Sequence, residues 1–327
     1  MASPTGLTPG DIADAHEWTR EACISLGIAI TAPIEQVHVR PWSTVFRVPT
    51  KNGAVYMKCC GPTQRHEPRL TALLHREFPG LVTEVLAVHP TQPWMLVAEG
   101  GKKLGEVFSD DELLRAWREI LPRCAQLQRD ITPRTNEILA FGTPDRREAP
   151  LLAGFAEIVA DEPAVSGQRL DRLTADERRA LASVHSRLAE ALRALAALGI
   201  DDTLQHDDLH QNNVLVRDGR MMIFDWGDSC VSHPFGTLAV TLRFAAQKTG
   251  RAQDAAEILV LRDAYLEPWS DRGSPRELRD AAELGRRIGE VSRTLTFYAV
   301  ARAYPGVIDT YPGGFAGSLR RVLASFA

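Results

Sequence analysis

The chain has 327 residues, 44% apolar and 24% charged, enough to bury a large core in one big domain or two, and wholesale disorder is excluded. Its 38 basic and 42 acidic residues leave a net charge of −4, so no basic surplus exists to hold a nucleic-acid backbone and no nucleic-acid partner is expected. No run approaches about 18 apolar residues, so no membrane partner is expected either. The five cysteines lack C-x-x-C spacing, which fits neither a zinc site nor a disulfide framework and points to a reducing, cytoplasmic setting. Residues 1–10 carry neither the basic nor the apolar region of a secretion signal, in line with that expectation.

The first ~30 residues predict an amphipathic helix, with Ala13, Trp18, Ala22 and Ile24 among its apolar positions. Strand signals follow. Gln36–Arg40 alternates, with Val37 and Val39 on one face, and Thr44–Val48 is β-branched and aromatic. Lys51-Asn52-Gly53 reads as a hairpin turn, because Asn-Gly tolerates the positive φ of tight hairpins, and Ala54–Cys59 reads as the return strand. Glu67 to Arg76 predicts a short helix with Leu70, Leu73 and Leu74 at helical spacing; Leu81–Val88 and Trp94–Ala98 predict two more strands.

Past Gly100-Gly101 long helices are expected. Ser109 to Glu112 and Thr174 to Glu177 both read as capping boxes. Ser274-Pro275-Arg276-Glu277 starts another helix, with proline at its first position. Leu181, Val184, Leu188, Leu192, Leu195 and Leu198 form one stripe that Gly199 ends. Asp130 to Pro150 is polar and turn-rich and reads as a long connection. The chain therefore divides into a β-rich part at 1–98, a hinge at 99–101 and a mainly helical part at 102–327.

The stretch from Gln205 to Asp228, QHDDLHQNNVLVRDGRMMIFDWGD, carries the chemistry. Two short strands, Val214–Val216 and Met221–Phe224, flank an Asp218-Gly219 turn, with polar clusters before the first and after the second. A hairpin of this kind holds both clusters at one end, where Asp208, Asn213 and Asp225 converge. Metal-assisted phosphoryl transfer needs such a set. Mg²⁺ takes one or two protein oxygens plus phosphate and water oxygens, and a separate carboxylate must orient the acceptor hydroxyl and take its proton. Asn213 and Asp225 fit the metal role; Asp208 fits the base.

These residues resemble a known family. His206-x-Asp208-Leu209-x-x-x-Asn213 follows the protein-kinase catalytic-loop pattern, and Asp225-Trp226-Gly227 stands where kinases have D-F-G. HDDLHQNNVLV followed by IFDWGD is similar to the aminoglycoside phosphotransferase and choline kinase family. Two positions depart from it: Asp207 replaces the usual glycine, and Phe224 separates Ile223 from Asp225. Asp207 leaves two neighbouring carboxylates as possible bases, and the spacing to Asn213 favours Asp208. The resemblance implies a bilobal α+β, protein-kinase-like fold with a small antiparallel-sheet N-lobe, one key helix and a larger helical C-lobe.

It further implies a strand lysine that clamps nucleotide phosphates and a helix glutamate that orients it. Lys58, ending Ala54-Val55-Tyr56-Met57-Lys58, and Glu67 take these places. Lysine otherwise occurs only at 51, 102, 103 and 248. By position, the backbones of Ala98 and Gly100 face adenine. Pro41-Trp42-Ser43-Thr44 occupies the phosphate-covering turn without a glycine, so Ser43 is assigned a side-chain contact. His206 is read as a prop for the loop, and His210 and Asp228 as candidate substrate contacts. Read alone, Lys58 is an ordinary solvated lysine and Asp225 a turn former; their company changes both readings.

The resemblance thus implies an ATP- or GTP-dependent, Mg²⁺-assisted kinase acting on a small-molecule hydroxyl, monomeric or homodimeric. An aminoglycoside, an amino alcohol or a sugar are the candidate acceptors. Acidic residues available for a cationic acceptor include Asp228, Glu157, Asp161, Glu162, Asp171, Asp263 and Glu267, no denser than elsewhere on the chain. The alternatives are a nucleotide-binding pseudokinase and a metal-dependent hydrolase built on His206, Asp207, Asp208 and His210.

Overall fold

The computed structural model describes residues 7–161, 173–304 and 314–327. The chain forms two compact units, Met1–Leu104 with Asn213–Gly227, and Gly105–Asn212 with Asp228–Ala327. The hairpin around Asp218-Gly219 thus belongs with the N-terminal sheet and not with the helices that flank it in sequence.

The first unit is built on an antiparallel sheet of β1 (Glu35–Arg40), β2 (Ser43–Thr50), β3 (Gly53–Cys60), β4 (Val85–Val88) and β5 (Trp94–Ala98), in the order β1-β2-β3-β5-β4. Alternation along β3 sends Val55, Met57 and Cys59 into a core shared with Phe46, Val48, Trp94 and Leu96. Helix α1 (Pro9–Ser25) closes that core, starting at a capping box of Thr8 and Asp11. Its buried residues are Ala15, Thr19 and Cys23, each four apart. The predicted face holds in part: Trp18 and Ala22 pack against this core, whereas Ala13 is exposed and Ile24 is 77% exposed. Tyr56 and Lys58 occupy the alternate positions on β3, and α2 (Glu67–Glu77) follows through a short 3₁₀ turn.

Two local predictions shift. The β2–β3 turn consists of Lys51 and Asn52, with Thr50 paired to Gly53, and the positive φ of 117° falls on Gly53, not on Asn52. The predicted strand Leu81–Val88 shortens, because Leu81 and Thr83 exchange backbone hydrogen bonds with Ile223 (2.7 and 3.2 Å) before β4 begins.

Ile223 ends β9 (Arg220–Ile223), which pairs with β8 (Val214–Arg217), itself paired with β6 (Lys102–Lys103). The β8–β9 turn has positive φ at both Asp218 (50°) and Gly219 (73°), the two-residue geometry that Asp-Gly favours. Gly100 and Gly101 are glycines because β8 passes close by. A Cβ on Gly100 would lie 2.3 Å from Leu215 Cδ1, and one on Gly101, where φ is +89°, 2.2 Å from the Val216 carbonyl.

The chain enters the second unit within the one-turn helix α3 (Leu104–Val107) and continues into α4 (Asp110–Ile131). Leu113, Trp117, Ile120, Cys124 and Leu127 are buried along α4, as their spacing predicts. Its start differs: Ser109 makes no side-chain cap, and Asp110 takes a positive φ of 46°. The predicted long connection Asp130–Pro150 contains helix α5 (Thr135–Ala140) and the start of α6 (Glu148–Ala160). Helices α7 (Ala175–Ala196), α8 (Thr237–Thr249), α9 (Ala256–Leu266), α10 (Pro275–Ala303) and α11 (Gly314–Ser325) complete the unit. Full capping boxes open α7 at Thr174 and α10 at Ser274. The antiparallel pair β7 (Thr203–Gln205) and β10 (Cys230–Ser232) sits among them. All five cysteines are buried and form no disulfide. Among the described residues, no helix is long and apolar enough to cross a membrane.

Candidate active site

In the first unit the chemistry gathers on the face of β3 opposite α1. Lys58 Nζ donates to Glu67 Oε1 at 2.7 Å and to Asp225 Oδ1 at 2.6 Å. Lys58 is carried there by the alternation of the central strand, Glu67 by the first turn of α2, and Asp225 by the end of β9. Glu67 is fully buried, and its second oxygen accepts from the Cys60 thiol at 3.2 Å. Burial by itself would lower the Lys58 pKa, but the Asp225 and Glu67 carboxylates outweigh it and hold the ammonium charged well above its ordinary range. Burial pushes the Glu67 carboxyl up, against the pull of Lys58.

Asn213 and Asp225 also come together in this unit. Val214 pairs with Ile223, and Phe224 N–H donates to the Asn213 carbonyl at 3.1 Å, so the two residues flank the same end of the β8–β9 hairpin. Asp225 holds a φ of +63°, a conformation that Asp tolerates better than most side chains. Two hard oxygen donors at neighbouring positions are what a divalent cation shared with phosphate and water oxygens takes from a protein, so this pair fits Mg²⁺.

The remaining nucleotide assignments fare unevenly. Ser43 is 5% exposed and lies within β2, paired with both Arg40 and Cys60, so the turn itself is Pro41-Trp42. Ala98 N–H is engaged with the Glu84 carbonyl at 2.9 Å. Gly100 is buried against Leu215.

In the second unit, β7 and β10 pair with Gln205 opposite Cys230, so the residues after Gln205 and those before Cys230 emerge at one end of the ladder. His206 accepts from the Asp208 N–H through Nδ1 at 3.4 Å, and His210 does the same for Asn212 at 3.1 Å. His210 also stacks on Phe244, with centroids 4.6 Å apart, and its Nε2 lies 3.6 Å from Asp208 Oδ2. Glu162 and Asp171 lie outside the described residues.

The two adjacent carboxylates of the loop differ sharply. Asp207 is 2% exposed, and its oxygens accept from Gln205 Nε2 at 2.8 Å and Thr296 Oγ1 at 2.9 Å. Burial raises its pKa to about 7. Its φ is +61°, the left-handed region that favours glycine, which accounts for the glycine that the family resemblance expects here. Asp208 is 20% exposed at its side chain. Burial raises its pKa, but the Arg293 guanidinium, with His210, outweighs it and holds Asp208 below the ordinary carboxylate range. Arg293 reaches Asp208 Oδ1 through Nη2 at 3.0 Å and bonds Asp228 Oδ2 through Nη1.

Arg293 and Thr296 are the residues that sequence reading misses. Both lie on α10, far along the chain from the loop they hold. The one local signal is spacing: Gly285, Gly289 and Arg293 are four apart on one helix face. A Cβ on Gly289 would stand 2.3 Å from the Gly236 carbonyl, so α10 lies against the segment after β10 and brings Arg293 to the loop one turn later. Among the described residues, no group of three or more His, Cys, Asp or Glu side chains is arranged to hold a metal by itself.

A model of the phosphotransferase enzyme family (APH) matches residues 101–292. Among solved structures, a choline/ethanolamine kinase family protein from Mesorhizobium loti aligns with a TM-score of 0.61 at 20% identity, over 96% of this chain and 95% of that one. A choline kinase from Cryptosporidium parvum aligns at 0.61 and 13% identity, over 90% of this chain and 88% of that one. An aminoglycoside phosphotransferase from Streptomyces rimosus, solved with ADP and streptomycin, aligns at 0.52 and 19% identity, over 84% of this chain and 98% of that one. At these identities the likeness concerns the kinase-like fold alone. No curated protein sequence matches the chain.

Proposed function

The chain belongs to the phosphotransferase enzyme family, and we propose that it moves the γ-phosphoryl group of ATP or GTP to a hydroxyl of a small molecule. The observation that supports this reading most is the Lys58 ammonium held between Glu67 and Asp225 at 2.7 and 2.6 Å. A charged lysine fixed this way is ready to bind the α- and β-phosphates, with Glu67 setting its direction. Gly100, two residues past the end of β5, is the backbone assigned to adenine. Asn213 and Asp225 would hold Mg²⁺, which neutralises charge on the phosphates and fixes their geometry.

Asp208 orients the acceptor hydroxyl and accepts its proton. Asp207 is the poorer candidate despite a pKa near 7, because both its oxygens are taken inside the fold. His210 and Asp228 stand beside Asp208 to meet the acceptor. Acceleration then comes from positioning and charge, without a covalent intermediate. The mesorhizobial and cryptosporidial neighbours support an amino alcohol acceptor, the streptomycin complex an aminoglycoside; a sugar is the third class.

The test is phosphoryl transfer from Mg·ATP and Mg·GTP across panels of amino alcohols, aminoglycosides and sugars, read by phosphorus NMR, beside nucleotide thermal shifts. Wild type is expected to show a Mg²⁺-dependent shift and one acceptor class. Asp208→Asn should lose transfer at least a hundredfold and keep its nucleotide shift. Nucleotide binding without transfer to any acceptor would favour a pseudokinase, and no shift at millimolar nucleotide would overturn the reading.

A further inference from the structure

Arg293 has no part in the kinase scheme above, yet its guanidinium is the group in closest charge contact with Asp208. It is 9% exposed, deep enough that its charge must be compensated. Its two terminal nitrogens go to two different carboxylates, Nη2 to Asp208 Oδ1 at 3.0 Å and Nη1 to Asp228 Oδ2. The guanidinium plane also lies 4.7 Å over the Phe297 ring, one helical turn on. These contacts fix the guanidinium from three sides.

The helix that carries it is equally constrained. α10 lies too close to the Pro234–Gly236 segment to admit side chains at Gly285 and Gly289, where a Cβ would meet Phe235 Cβ at 2.4 Å and the Gly236 carbonyl at 2.3 Å. Three residues past Arg293, Thr296 Oγ1 donates to Asp207 at 2.9 Å. One helix face therefore grips both neighbouring carboxylates of the loop, one through a hydroxyl and one through a guanidinium.

The other charged groups around Asp208 do not duplicate this. Arg243 on α8 is bonded to Glu290, which also holds Arg321 at 3.2 Å. His206 accepts from the Asp208 N–H through Nδ1, and His210 stands 3.6 Å from the second carboxylate oxygen. Asp228 adds negative charge, which Arg293 absorbs. Arg293 thus leaves Oδ2 as the Asp208 oxygen not bonded to it.

We propose that Arg293 is a positioning residue of the phosphotransfer site: clamped between Asp208 and Asp228, it aims the Asp208 carboxylate and keeps it ionised for the acceptor hydroxyl. This rests on the phosphotransferase reading for Asp208's role, while the clamp itself is independent of it. A guanidinium differs from an ammonium here because its rigid planar fork sets the directions of Nη1 and Nη2 towards the two carboxylates, whereas a lysine ammonium is a rotatable point charge on a flexible stem.

The experiment follows the Asp208 carboxyl by carbon NMR, its signal assigned by loss in Asp208→Asn, in wild type, Arg293→Met and Arg293→Lys. Mg·ATP turnover, with water or the identified alcohol as acceptor, is measured beside it. In Arg293→Met the Asp208 midpoint should rise by more than one pH unit, and the acid limb of kcat with it, while nucleotide KM stays within twofold. Arg293→Lys should keep the low midpoint, because the charge remains, yet lose at least tenfold in kcat, because the aim is lost. If Arg293→Met fails to fold, Asp228→Asn opens half the clamp and should lower kcat at unchanged nucleotide KM. An unmoved Asp208 midpoint in Arg293→Met, or wild-type kcat in Arg293→Lys, overturns the proposal. Absent turnover in wild type refutes the phosphotransferase reading instead, and the titration still decides the clamp.

Discussion

Replacing Asp207 by Asn should change how stability depends on pH, by an amount the burial of this residue sets. In the folded protein its carboxyl titrates at about 7, against an ordinary 3.8. Roughly three units at 1.36 kcal/mol each make about 4 kcal/mol of differential stability. The sign follows from proton counts. Between pH 4 and 7 the folded chain keeps the Asp207 proton while the unfolded chain has released it. Wild type therefore loses stability as pH rises through this window and levels off above it. Asn carries no charge. Its carbonyl can accept from Gln205, and its amide can donate to a Thr296 hydroxyl turned to accept, so both hydrogen bonds survive. Urea unfolding of both proteins at several pH values gives the difference curve, in which other titrating groups cancel. Asp207→Asn should gain on wild type by roughly 2–3 kcal/mol between pH 5 and 8. A difference curve flat to about 0.5 kcal/mol would refute the argument. It would mean that Arg293 and Arg146, the cations whose charges act on Asp207, hold the charged form as well as water does.

Two further substitutions test the first unit. Gly101→Ala puts a methyl 2.2 Å from the Val216 carbonyl at a φ of +89°, and should cost about 2–3 kcal/mol in urea unfolding; a loss below about 0.5 kcal/mol would show that β8 yields. Glu67→Gln leaves Lys58 with Asp225 as its one charged partner, and Mg·ATP affinity by calorimetry should fall about tenfold, about 1.4 kcal/mol. Unchanged affinity would remove Glu67 from the clamp.

Much of this was legible in the residue order. The Asp218-Gly219 turn fixes the hairpin register, and the register alone brings Asn213 and Asp225 to one end of it. Alternation along β3 puts Lys58 on the face opposite Val55, Met57 and Cys59. Glu67 lies one strand-to-helix step later. The capping boxes at Thr174 and Ser274 mark their helices to the residue, because a cap is a bond between neighbours. Ser109 has the same pattern and no cap, since Asp110 turns to a positive φ. The same four-residue text therefore specifies a helix start without specifying its bonds.

What the sequence determined by itself was local: the strands, the helix starts and the phosphotransfer motif, each set by residues within a few positions of one another. Only the tertiary structure decided which of two adjacent aspartates faces inward, because that depends on Thr296, 89 positions away from Asp207. It decided that the Asp208 partner is Arg293, and that α1 buries Ala15, Thr19 and Cys23. In each case the deciding contact joins residues far apart in the chain. Periodicity tells which face of an element is apolar, but the packing of that element against another sets its final rotation, and with it the side chains that meet.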